Sequence, residues 1–238
     1  MAKVLHVNSR RAAMGSRTAP VRVAPGTLEA LKWLGMVLMA LDHVNKFLIG
    51  GSSPVLFDLG RLVMPVFGFV LMYNLARPGA FEAGVHVRVM QRLLLFGALS
   101  TPMFVALVGW WPLNILFMLL LSTAITLLIE HGGRMHTALA VLSFVLAGAV
   151  VEFWWFGVVT CLGAWAYCRK PTAGRLVLWT LSLASLWLIN RNFAALAVLP
   201  ILLVATHVDL PLARHRWLFY AFYPAHLAVT WLAMKLTS

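Results

Sequence analysis

Charge is scarce in this chain of 238 residues: only 11% are Asp, Glu, Lys or Arg, and only seven of those are acidic. A water-soluble domain of this length needs a polar surface. A chain that is 62% hydrophobic, with a mean hydropathy of +0.88, has too little polar material to make one. That shortage excludes a soluble enzyme, and the wealth of large apolar residues excludes a disordered chain. Alternation is lacking as well. The apolar runs are continuous, which excludes a transmembrane β-barrel, whose strands alternate apolar and polar positions. Cysteine is nearly absent. Cys161 and Cys168 stand two turns apart on one apparent helix, about 10 Å along its axis, too far for a disulfide and without zinc-ligand spacing. No metal is expected. What remains is an all-α fold, a polytopic membrane helix bundle with very little chain outside the bilayer.

Nine apolar segments are legible, at about 30–49, 55–76, 89–109, 112–130, 135–150, 153–168, 175–190, 193–206 and 217–236. The segments 135–150 and 193–206 are the weakest, and short segments in a bundle can be tilted, buried or re-entrant. Residues 1–26 form a basic tail without the apolar core of a cleavable signal peptide. The sequence therefore predicts a disordered cytoplasmic tail that can lie on anionic lipid, ahead of a multi-pass membrane domain over 27–238. The net charge of +12 would suggest nucleic acid in a soluble protein. Here the basic residues collect between apolar runs, so no nucleic-acid partner is expected. With the N-terminus inside, the inner loops hold Arg77, Arg88, Arg92, Arg134, Arg169, Lys170, Arg175, Arg214 and Arg216, whereas the outer side keeps only Arg191 and Lys235. This asymmetry predicts a cytoplasmic N-terminus and an outer C-terminus. No internal repeat is visible, which weakens a transporter built from inverted repeats.

Ionisable residues inside membrane helices are costly and mark candidate sites. The first segment carries Asp42-His43-Val44-Asn45-Lys46, with Lys32, Met39, His43 and Lys46 sharing a face. A structural reading pairs Asp42 with Lys46; a functional one makes His43 a general base oriented by a carboxylate. Neighbours on a helix do not face each other, so that carboxylate need not be Asp42. In the second segment Asp58 and Arg61 stand three apart and can pair, or Arg61 can hold a carboxylate or phosphate through two parallel hydrogen bonds. Pro65 predicts a kink below it. Arg88 and Arg92, one turn apart, fit inner topology or a site for a cytoplasmic cofactor's phosphates. In the last segment Tyr220, Tyr223 and His226 share a face beside Pro224. At ~1.5 Å per residue, His43 lies roughly 18 Å from the inner end of its segment, Arg61 roughly 9 Å from the outer end and His226 roughly 14 Å from the inner end. All three fall near the midplane of a core about 30 Å thick, so a shared cavity is geometrically possible.

Several of these stretches, in order, resemble the TraX family of conjugal-transfer proteins. They are Leu31-Lys32 with Met36, Met39 and Asp42-His43-Val44; Gly60-Arg61-Leu62 with Pro65-Val66-Phe67; Arg92-Leu93-Leu94-Leu95-Phe96 with Ser100 and Pro102-Met103-Phe104; Asn114-Ile115-Leu116-Phe117; and Tyr223-Pro224 with His226-Leu227. The likeness covers about 28–235 and looks closest to the TrbP members from IncP-type plasmids. It implies a multi-pass protein of the bacterial inner membrane that acetylates the N-terminal amine of a conjugative pilin, with acetyl-CoA as acyl donor and the pilin precursor or processed pilin as partner.

On that resemblance the candidate catalytic residues are Asp42, His43, Arg61, Asn114 and His226. His43 takes a proton from the amine, Asp42 holds a tautomer or a partner cation, and Arg61, Asn114 or His226 stabilises the oxyanion. The phosphates of acetyl-CoA fall to Arg88, Arg92, Arg169 and Lys170. Tyr220, Tyr223 and Asn190 are candidate substrate contacts. Three alternatives stay open: pilin cyclisation, in which a peptide acyl group is transferred to the same amine; a non-catalytic assembly factor; and a proton-coupled transporter.

Overall fold

The computed structural model describes residues 21–215 and 217–237; most of the basic tail lies outside them. Among the described residues there is no strand, and nine helical segments run up and down. The first is α1 (Pro25–His43), continued by a π-helical turn (Val44–Leu48). Helices α2 (Pro54–Gly60) and α3 (Val63–Leu75) form the second, and α4 (Val85–Leu107), α5 (Ile115–His131), α6 (Gly133–Gly148) and α7 (Trp154–Arg169) the next four. Helices α8 (Ala173–Ser185) and α9 (Trp187–Asn190) make the seventh, a 3-10 turn (Ala194–Ala197) and α10 (Val198–Ala205) the eighth, and α11 (Leu218–Thr237) the last. Every boundary lies within a few residues of the apolar segments.

Helices α3, α5 and α7 form the centre, with α1 and α11 closing one side and α6 and α8 outermost. Met64, Val66, Met72, Met118, Val158 and Cys161 are almost wholly enclosed there. Small polar residues in this core satisfy themselves on the turn below: Ser122 Oγ donates to the Met118 carbonyl (2.9 Å) and Thr123 Oγ1 to Leu119 (2.8 Å). Thr160 Oγ1 also reaches across to the Ser182 carbonyl of α8 (3.0 Å). Such bonds let hydroxyls sit where no water reaches. Both cysteines are free.

The outward faces are apolar. Leu139, Val141, Leu142, Val145 and Leu146 of α6, and Leu176, Val177, Leu178 and Leu181 of α8, are exposed. Leaving one such side chain in water forfeits about 1.5–3 kcal/mol, a loss that a hydrocarbon surround removes. Three stretches, Pro54–Leu75, Val85–Leu107 and Ala173–Asn190, are long and apolar enough to cross a membrane. The two ends of the bundle differ. The end holding the start of α1 carries Arg77, Arg88, Arg92, Arg134, Arg169, Lys170 and Arg214. The far end carries Trp110, Trp111 and few cations.

Two ties fix the ends. At the basic end Thr27 Oγ1 donates to the Val208 carbonyl (2.6 Å), and the His215 N–H donates to Glu29, so the stretch 208–215 lies against α1. Gly26 permits this, because a Cβ there would collide with the Leu210 carbonyl. At the far end Leu113 pairs with Val151: the Leu113 N–H donates to the Val150 carbonyl (2.7 Å) and the Glu152 N–H to the Leu113 carbonyl (2.8 Å).

Candidate functional site

The α1–α2 turn is built to bring two charges together. Asn45 is buried and closes the turn reciprocally: its Nδ2 donates to the Ser53 carbonyl (3.0 Å) and its Oδ1 accepts from the Ser53 N–H (3.0 Å). Ser53 Oγ then caps α2 through the Leu56 N–H (3.3 Å). Pro65 cannot give a hydrogen bond to the carbonyl four residues back, at Arg61, and its ring crowds that carbonyl. The helix accordingly breaks at Arg61–Leu62, whose N–H groups turn to Asp58 and Leu59 (both 3.1 Å). At this break Arg61 reaches α1, and its Nη2 donates to Asp42 Oδ1 at 2.8 Å. Gly60 makes room. A Cβ there would stand 2.7 Å from the Asp42 Cβ and closer still to its carboxylate.

Asp42 thus pairs with Arg61 rather than with Lys46. Asp58, for its part, accepts from Asn192 Nδ2 (2.7 Å) instead of from Arg61.

His43 has a partner that spacing alone did not assign. Its Nδ1 lies 2.7 Å from Nε2 of His226, across 183 residues of chain. The rings are parallel to within 3°, with centroids 4.8 Å apart. Nitrogens that close on rings that far apart meet edge to edge, as a hydrogen bond requires. The tautomers follow from chemistry. His226 Nδ1 lies 3.0 Å from the Phe222 carbonyl, which can only accept, so Nδ1 carries the proton. In the neutral pair His226 Nε2 is therefore an acceptor, and His43 Nδ1–H donates to it. That leaves His43 Nε2 as a lone pair. The partner that orients this candidate base is an imidazole, not a carboxylate.

Asp42, His43 and Arg61 line a cavity of about 520 Å³ at the far end, with Lys46, Glu152 and Tyr223. His226 stands behind His43, 8% exposed. Glu152 comes from the connection between α6 and α7. There burial pushes its carboxyl up to about 7, against the opposing pull of Lys46 and Arg61. At the basic end lies a second cavity, about 530 Å³, lined by Lys32, Asn74, Arg77, Arg88, Arg92, Arg214 and Tyr220. No carboxylate is among its lining residues. Arg92 lies over the rings of Trp217 (4.8 Å) and Tyr220 (5.8 Å). Deeper in, this cavity is apolar, with Phe67, Leu71 and Leu119. Met39, Ile115 and Tyr223 line both cavities and form a shared wall.

The other expected site residues are placed as follows. Asn114 is 1% exposed and lines neither cavity. Its Oδ1 caps α5 by accepting from the Leu116 N–H (3.1 Å), and its Nδ2 donates to the Gly97 carbonyl of α4 (3.0 Å). Both ends of its amide are thus engaged with backbone. Arg169 pairs with Glu130 and, like Lys170, lies outside the basic cavity. Asn190 is buried at the end of α9, away from both cavities, and its amide is without a hydrogen-bond partner among the described residues. Tyr220 belongs to the basic cavity. Among the described residues no three His, Cys, Asp or Glu side chains form a group that could hold a metal.

Residue reasoning missed Glu152, Arg77, Arg214 and the site role of Lys32. Glu152 had one signal: it is one of seven acids and interrupts an apolar run, Val150-Val151-Glu152-Phe153-Trp154.

The family described as TraX protein matches residues 27–234. The chain is similar to the probable fimbrial assembly protein FimC, serogroup H1, of Dichelobacter nodosus, with 26% identity over 231 residues, 84% of this chain and 92% of that one. It is also similar to two proteins named TraX. One, from Escherichia coli strain K12, is 30% identical over 128 residues, 52% of this chain and 49% of the other. The second, from Escherichia coli, is 26% identical over 219 residues, 87% and 86% of the two chains. No solved structure matches the chain.

Proposed function

Starting from a chain that belongs to the TraX protein family, we propose that it is an acyltransferase of the bacterial inner membrane. In this reading it acts in pilus maturation and transfers an acetyl group from acetyl-CoA to the N-terminal amine of a pilin. One observation carries the reading. Two cavities open at opposite ends of the bundle and meet at a wall of Met39, Ile115 and Tyr223. One is basic with an apolar depth; the other holds a histidine with a free lone pair. A relative bearing the name of a fimbrial assembly protein supports the pilin as partner.

The basic cavity fits the donor. Arg77, Arg88, Arg92 and Arg214, with no carboxylate among them, suit the several phosphates of a coenzyme A thioester. Phe67, Leu71 and Leu119 suit its uncharged arm. The thioester supplies an activated acyl carbon. From the far side the amine enters as ammonium and loses two protons in becoming an amide: one passes to water in the far cavity, and His43 Nε2 takes the other. The resulting imidazolium keeps Nδ1–H on His226 Nε2, and that bond can share the added charge with the second ring. A C–N bond then forms and the C–S bond breaks. The proton held at His43 returns to the thiolate that leaves. Arg61 and Tyr223 are the donors nearest the shared wall for charge developing on the carbonyl oxygen. The Asp42 carboxylate holds Arg61 in place.

The test is the intact mass of the cognate pilin from cells with and without this protein. A gain of one acetyl group in its presence is expected. A loss of one water would move the activity to cyclisation, and an unchanged mass would refute acyl transfer to pilin.

A further inference from the structure

The far cavity holds more ionisable groups than the proton transfer needs. Asp42 is engaged by Arg61, and His43 by His226. One acidic side chain remains, Glu152, and its backbone is held in an uncommon way. The two residues after it, Phe153 (φ 61°) and Trp154 (φ 48°), are both left-handed, although neither is glycine. Such a backbone is costly for a residue that carries a side chain. The bridge from Leu113 to Val151 clamps the strand-like lead, and α7 starts at once. The fold thus sustains strain directly beside a carboxylate that lines the cavity with Asp42 and His43 of α1, Lys46 of the π-helical turn, Arg61 and Tyr223. Ile115, the first residue of α5, lines the cavity together with Glu152 and Tyr223.

We propose that Glu152 is the acceptor-binding residue, whose carboxylate receives the ammonium of the incoming amine and holds its nitrogen against the Ile115–Tyr223 wall. The proposal deepens the acyltransferase reading and rests on it for the identity of the amine. Its chemistry is that of a charge-assisted hydrogen bond in a site partly screened from water. The same arrangement gives selectivity. An N-terminus that already carries an acyl group has no charge to offer, so product leaves. A hydroxyl acceptor lacks the charge as well, which restricts the site to amines.

The ionisation of the pair sets a pH window. With the carboxyl pushed up to about 7, Glu152 is charged mainly above that pH. A terminal amine is protonated mainly below roughly 7.7–8.0. Attraction is therefore greatest between the two values and falls on either side.

The experiment measures binding, not turnover. Full-length protein in lipid nanodiscs is titrated with a peptide bearing the processed pilin N-terminus, and with its N-acetylated twin. Wild type is expected to bind the free amine about tenfold or more tightly than the twin, most strongly near pH 7.5. In E152Q the two peptides should bind within twofold of each other. In Glu152→Asp the preference should persist in reduced form. An unchanged preference in E152Q, or none in wild type across pH 6–9, overturns the proposal. The wild-type pH series serves if E152Q does not fold. A retained preference with no acetyl transfer by wild type would sink the acyltransferase reading while leaving Glu152 as an amine site. Transfer with no Glu152-dependent preference would do the reverse.

Discussion

Replacing His226 by Phe separates the orienting partner from the base. Phe fills most of the volume of the imidazole but accepts no hydrogen bond. The Nδ1–H of His43, now given to His226 Nε2 at 2.7 Å, would face an aromatic edge. A buried donor left without a partner costs about 1–3 kcal/mol. His43 can escape that cost by moving its proton to Nε2, and that is the atom the reaction needs free. The penalty therefore appears as a population of the wrong tautomer. At ~1.36 kcal/mol per tenfold, kcat should fall roughly 5- to 150-fold. The KM for acetyl-CoA should stay put, because Arg88 and Arg92 line the other cavity. Glutamine at 226 carries an amide oxygen near the position of Nε2 and should recover part of the loss. The assay is acetyl transfer to a free-amine peptide in nanodiscs, with gel filtration as the control for folding. If H226F, well folded, keeps the wild-type kcat, the tautomer argument fails.

Gly60→Ala forces a Cβ against the Asp42 carboxylate. We expect a stability loss of about 1–3 kcal/mol in thermal unfolding, as for other overpacked sites, with activity lost as Arg61 shifts. R88Q and R92Q should each raise the KM for acetyl-CoA about tenfold, a factor worth ~1.4 kcal/mol, with kcat unchanged. R169Q should leave that KM as it is, since Arg169 is paired with Glu130 outside the cavity; equal effects in steady-state kinetics would contradict the placement of the donor. N114A should cost about 1 kcal/mol through the lost cap of α5, visible as a lower Tm. A kcat falling more than tenfold in folded N114A would restore it as an oxyanion donor.

Most of the nine helical segments were legible because they are long apolar runs ended by Pro, Gly or charge, which is a local signal; the short run at 193–206 was the least so. The meeting of His43 with His226 could be framed from depth along two helices but not decided, because it depends on how α11 is rotated against α1. Asp42's partner was hidden as well. Asp58 stands at the ordinary helical spacing from Arg61, yet the guanidinium goes to Asp42 of another helix and Asp58 goes to Asn192, choices that depend on how the helices pack. Asn114 reads as an intramembrane polar residue and so as a reactive one; its capping role depends on where α5 starts, which sequence fixes only to a few residues. Glu152 sat in a connection and carried no helical periodicity. Arg88 and Arg92, one turn apart, were legible as a phosphate site, whereas Arg77 and Arg214 had an adequate explanation in charge topology alone, and nothing in their spacing singled out a pocket.

The shared wall has a further consequence for any cell that carries this protein. On the inner-membrane reading proposed above, an open channel would dissipate the proton gradient, and two cavities at opposite ends of the bundle come close to being one. Here they are kept apart by the thickness of three side chains, Met39, Ile115 and Tyr223. Two of those are uncharged and apolar, and the third is buried to 4% exposure. On that reading the partition has to let the acyl carbon and the amine meet while denying hydrated ions a continuous file of water. Trimming Met39 to glycine would then do more than loosen the core: it would turn a workbench into a leak.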